Sequence, residues 1–125
     1  MMKMWNEGPF SKKLTIDLAY STVFKNWWVD EETLITAISV RLPPELPPFP
    51  AVGDLIIETV NGRPLATLDL HLLDEERARP GGPRKLERSI ETSKGDSLTF
   101  RLNVSPMIGV VEVNLYGLRR WEVKP

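Results

Sequence analysis

The sequence predicts an α+β fold that is mostly β: a small, partly open barrel or sandwich of about seven strands with one helix. Three observations carry this expectation. Four segments alternate apolar and polar residues with a period of two. One stretch carries helical spacing, and turn-forming glycine, proline and asparagine punctuate the chain at short intervals. With 125 residues, 42% of them hydrophobic, the chain is read as one domain, 1–125, able to bury a core without staples.

The first strand is predicted over 14–20, where Leu14, Ile16, Leu18 and Tyr20 alternate with Thr15, Asp17 and Ala19. Residues 34–42 repeat the pattern, with Leu34, Thr36, Ile38, Val40 and Leu42 on one face and Arg41 on the other. Residues 43–50 hold five prolines in eight positions and read as a stiff, extended connection. A third strand spans 55–60 and ends at Asn61-Gly62, a pair that tolerates the positive φ of tight turns. The helix is expected from an N-cap at Thr67 through Leu68 and Leu72, with Leu65 or Leu73 on the same face. Glu75, Glu76, Arg77 and Arg79 carry it into solvent until Pro80-Gly81-Gly82-Pro83 stops it.

The remaining chain reads as strands and turns. Residues 86–92 and 98–104 alternate on either side of a turn at Lys94-Gly95-Asp96. After Pro106 a strand is expected over 110–116, a turn at Gly117 and a last strand over 119–123.

The middle of the chain, 32–105, resembles a bacterial PDZ-type domain. The residues that carry the resemblance are Gly53-Asp54-Leu55-Ile56-Ile57, then Val60-Asn61-Gly62-Arg63-Pro64-Leu65, then the leucines of 68–73 and the closing Gly95-Asp96-Ser97-Leu98-Thr99-Phe100. Residues 1–31 and 106–125 would then be flanking strands. Three features depart from the pattern: a strand one residue longer than usual between Gly53 and Asn61, the proline-rich segment before it, and Val29-Asp30-Glu31-Glu32-Thr33 where a carboxylate-binding loop belongs. The resemblance implies an extended peptide added as a strand between 34–40 and the helix, in a groove lined by Leu34, Thr36, Ile38, Leu68, His71 and Leu72. Read without the resemblance, the same leucines are core residues.

Little in the chain points to catalysis. No cysteine is present, which excludes disulfides, thiolate metal sites and thiol nucleophiles. His71 is the single histidine, and no serine sits in a Gly-x-Ser-x-Gly elbow. Asp69 and Asp74 beside His71 make a poor ligand set, so no metal and no cofactor is expected. Asp30-Glu31-Glu32 and Asp74-Glu75-Glu76 are adjacent runs of the kind found on solvated faces. The basic cluster Arg77, Arg79, Arg84, Lys85 and Arg88 is diluted by Glu75, Glu76 and Glu87, and the formal net charge is −1, so nucleic acid is an unfavoured partner.

The tryptophans are the strongest hint of a contact surface. On a strand Trp27 and Trp28 must point to opposite faces, which exposes one of them. The N-terminal stretch lacks the apolar core of a signal peptide, and no segment has the roughly 20 apolar residues of a membrane span, so a cytoplasmic location is expected. The first functional expectation is a non-catalytic, PDZ-like module binding a protein or peptide. The alternative is a structural or assembly subunit, of a virion or another oligomeric complex, built on a β-sandwich or barrel. A small hydrolase or lyase using carboxylates in a barrel mouth is a third and weaker reading.

Overall fold

Eight strands in two antiparallel sheets form the protein, in a computed structural model that describes residues 4–17, 24–41, 53–59, 61–73, 83–104 and 109–123. In chain order they are β1 (Trp5–Asp17), β2 (Phe24–Trp28), β3 (Glu32–Arg41), β4 (Gly53–Thr59) and β5 (Pro64–Asp69). A single helical turn, α1 (Leu70–Leu73), precedes β6 (Arg84–Thr92), β7 (Ser97–Val104) and β8 (Val110–Glu122). One sheet has the order β1-β8-β3-β6 and the other β2-β7-β4-β5. Every connection except β4–β5 passes from one sheet to the other, which is the wrapping of a jelly-roll sandwich.

Alternation places the core between the sheets. Leu14 and Ile16 of β1, Ile38 and Val40 of β3, Leu86 and Ile90 of β6, and Val111, Val113 and Leu115 of β8 come from one side. Leu55 and Ile57 of β4 and Leu98, Phe100 and Leu102 of β7 meet them from the other. Leu70 and Leu73 of α1 are buried and join the same cluster.

The turns follow their composition. Gly62 has φ 82°, a left-handed conformation that costs a residue with a Cβ but not glycine. Its N–H donates to the Thr59 carbonyl at 2.8 Å, and the Arg63 N–H donates to Thr59 Oγ1 at 3.1 Å. At the β6–β7 turn the Ser93 N–H donates to Asp96 Oδ2 at 2.8 Å. The Asp96 carbonyl accepts from the Val29 N–H at 2.8 Å, so this turn is tied to the β2–β3 connection. Among the described residues no buried side-chain nitrogen or oxygen lacks a partner: Thr92 Oγ1, for one, donates to the Thr33 carbonyl at 2.8 Å. Among them, too, no helix is long and apolar enough to cross a membrane.

Several sequence expectations are corrected. The protein is an all-β sandwich with one four-residue helical turn, not an α+β domain with a helix from Thr67. Thr67 and Leu68 lie in β5, opposite Ile56 and Leu55. Six residues fit a period of two or of 3.6 equally, and the unpaired edge of β4 decides for the strand. Residues 74–82, the rest of the expected helix and its stop, lie outside the described residues, as do the proline-rich connection at 43–50 and Leu18–Tyr20 at the end of the first predicted strand. Gly117 is no turn: β8 runs through it without a break. The strand at 14–20 begins earlier, at Trp5, because its first half pairs with the last half of β8, Trp5 opposite Glu122 and Ser11 opposite Tyr116. In β3 a register shift between Ile35 and Ala37 interrupts the alternation, so Leu34 is only half-buried while Ile35 is fully buried.

The PDZ resemblance is overturned by the sheet order. Its motif residues do form a strand, a turn and a further strand, but these belong to one sheet of the sandwich, and the strand from 34 lies in the other.

Candidate functional site

Peptide addition needs a free strand edge, and β3 has none. It pairs on one side with β6, Ile38 opposite Arg84, and on the other with β8, Ile38 opposite Leu115. The groove expected from sequence is therefore not formed. Leu34, Thr36 and Ile38 sit on β3, with Ile38 fully buried and Thr36 Oγ1 donating to the Tyr116 carbonyl at 3.4 Å. Leu68 lies in the second sheet on β5, packed against the core, and His71 and Leu72 fall in α1. Leu34, Thr36 and Ile38 lie in one sheet and Leu68 in the other, so a peptide-binding PDZ-like module is not what they build.

The tryptophan pair behaves as alternation requires. Trp27 is buried, 7% exposed, and its ring stacks on Phe10 of β1 with centroids 5.4 Å apart. This contact closes the flank where the free edges of β1 and β2 lie side by side. Trp28 points the other way and is 70% exposed, the most exposed large apolar side chain among the described residues.

Trp28 has company. Met4, Trp5, Phe24, Val110 and Leu118 are also exposed, and all lie on β1, on β2, on β8 beside β1, or next to β1 in sequence. Leu65 on β5 is the one exposed large apolar side chain elsewhere among the described residues. Burial of large apolar surface is the main source of association energy, and this edge, with apolar side chains projecting from the outer faces of both sheets, offers such surface. Edge strands add unpaired main-chain donors and acceptors to it.

Charge and shape complete the flank. A cleft of about 410 Å³ is lined by Pro9, Phe10, Lys12, Trp27, Trp28, Asp30 and Arg119. At the same end of the sandwich a second cleft, of about 580 Å³, is lined by Trp5, Trp121, Arg120 and the carboxylates Asp30, Glu31, Glu32 and Glu122. Arg120 lies over the Trp5 ring at 5.2 Å and Arg119 over Trp121 at 5.4 Å, so each ring is held by a cation. Among the described residues no group of three histidines or carboxylates could hold a metal ion. The basic residues Arg84, Lys85 and Arg88 stand exposed on β6, at the far flank of the molecule; 77–82 lie outside the described residues.

Alternation in the sequence accounts for the exposure of Trp28, and Phe24 was not singled out. The signal for Phe24 was its spacing, since 24, 26 and 28 share the outer face of a strand. Trp5 gave no local signal, because Pro9 argues against a strand there. Proline is tolerated on an edge strand whose N–H side meets solvent, and β1 is an edge.

No family model and no curated protein matches the chain. Among solved structures it is similar to the Drosophila NLP core, whose crystal structure is described as giving insight into pentamer formation and histone binding. The identity is 17%, with 92% of this chain and 99% of that chain covered, at a TM-score of 0.44. Pentamer formation and histone binding are said of the Drosophila protein.

Proposed function

We propose that this protein is a structural subunit that assembles with copies of itself through the flank formed by β1 and β2. The observation that carries the reading is the concentration of exposed Trp28, Phe24, Trp5 and Met4 along two adjacent free strand edges. Tryptophan is the residue most enriched among interface hot spots, and burying one large apolar side chain contributes about 1.5–3 kcal/mol. The core beneath is rigid, since Phe10 and Trp27 fix the two sheets to each other at this flank. A rigid scaffold presents such a patch at little ordering cost.

The test is solution mass. The purified chain should sediment and scatter light as a multiple of its 14.2 kDa. Trp28→Glu should return it to 14.2 kDa while the far-ultraviolet circular dichroism stays unchanged, because Trp28 contributes nothing to the core. A wild-type chain that stays monomeric up to about 100 μM, where even a micromolar contact is populated, overturns the reading.

A further inference from the structure

We infer that the surface received by the Trp28 flank is the opposite flank of a second copy, so that subunits join head to tail; this rests on the assembly reading above. Three features of the molecule point to it.

The first is position. β1 and β2 stand at one end of the two sheet orders and β6 and β5 at the other, so the flanks face away from each other. A contact between two different flanks of one chain is heterologous, and repeating it gives a closed ring or a filament.

The second is shape. Between β5 and β6 runs a groove of about 520 Å³ in which Leu65, Leu68 and Leu86 are flanked by charged residues, among them Arg84, Lys85 and Arg88. Leu65, 37% exposed, is the only large apolar side chain among the described residues that is exposed away from the Trp28 flank. A projecting Trp28 fits a recessed groove whose leucines take the ring and whose arginines can lie over its face. Among the described residues, joining them covers both Trp28 and Leu65, whereas pairing β2 with β2 about a two-fold axis leaves Leu65 bare.

The third is the order of charges. On the first flank Lys25 adjoins Phe24, and Asp30 lies two residues beyond Trp28. Register across the second sheet places Asp69 of β5 at the Phe24 end and Arg63, just before β5, at the Trp28 end. All four side chains are exposed. With neighbouring subunits in the same orientation and offset by about three residues along the strands, Lys25 meets Asp69 and Asp30 meets Arg63. Inverting one subunit sets Lys25 against Arg63 and Asp30 against Asp69. Complementary potentials of this kind fix register and suppress wrong pairings.

The experiment uses two variants of the full chain, each damaged on one flank. Trp28→Glu and Leu65→Glu should both be folded and monomeric. Mixed in equal amounts, they should form a complex of two chains and no more. The intact groove of the first receives the intact tryptophan of the second, and both remaining flanks are blocked. Light scattering reads the mass directly. An assembly that Leu65→Glu leaves intact overturns the inference while the assembly reading stands, and so does a mixture that stays monomeric. A monomeric wild type overturns both. A charge swap tests the same contact without touching apolar residues: Asp30→Lys and Arg63→Glu should each weaken assembly several-fold, and the double variant should recover it. Failure to recover places the two residues on different contacts and overturns the head-to-tail register.

Discussion

Phe100→Ala is expected to remove about 3–5 kcal/mol of stability, a large part of the roughly 5–15 kcal/mol that holds a domain of this size together. Phe100 is fully buried at the middle of β7, paired with Ile57 on one side and Lys25 on the other. Its ring is among the largest side chains in the cluster that both sheets share. Truncation loses the transfer energy of the ring and leaves a cavity that neither sheet can collapse into, because β7 is held by ladders on both edges. The midpoint of urea unfolding should fall sharply with an unchanged slope, and the melting temperature should drop by about 10–20 °C. Measurements at several protein concentrations remove any term that self-association would add. Val110→Ala, on an exposed position of β8, should change stability by no more than about 0.5 kcal/mol. A loss below about 1 kcal/mol for Phe100→Ala would mean that the two sheets do not close on one core.

Phe100 also shows what the sequence makes legible. Leu98, Phe100 and Leu102 alternate so cleanly that strand, face and burial can all be read from the letters, and all three are buried. The turns at Asn61-Gly62 and Lys94-Gly95-Asp96 are legible for the same reason: their chemistry is local. What is not local is not legible. The first half of β1 exists because it pairs with the end of β8, more than a hundred residues away, and neither segment announces the other. β2 has five residues and a single buried side chain, too little pattern to detect beyond its two tryptophans. The PDZ resemblance failed at this level. Its Gly-Asp and Asn-Gly motifs specify a strand and a turn correctly, but nothing in them specifies which sheet the strand from 34 joins. That was decided by ladders to β6 and β8, and with both its edges filled the expected groove could not form. Surface exposure of a large apolar residue was legible only where alternation forces it outward, as at Trp28.

Gly117→Ala is expected to be at least as damaging, although it adds only one methyl group. Gly117 lies inside β8, opposite Ile35 on β3 and Phe10 on β1. A Cβ built there would lie 1.8 Å from the Leu34 carbonyl oxygen and 2.9 Å from its carbon. Both are backbone atoms, so no side chain can swing aside to make room. The close approach coincides with the register shift between Ile35 and Ala37 in β3. Alanine therefore forces the two central strands of the sheet apart and breaks the ladder on which β1 also depends, at a cost of about 4 kcal/mol or more. The chain should accumulate in the insoluble fraction, or melt far below wild type if recovered. Gly62→Ala provides the comparison. Gly62 has φ 82° with nothing within 4 Å of an added Cβ, so its cost is backbone strain alone, about 1–2 kcal/mol. Equal losses at the two sites would show that β3 does not approach β8 so closely and that the bulge is misplaced. A much larger loss at Gly117 ties the fold to the same irregularity that turns Leu34 outward beside Leu118, on the sheet whose free edge carries Trp5.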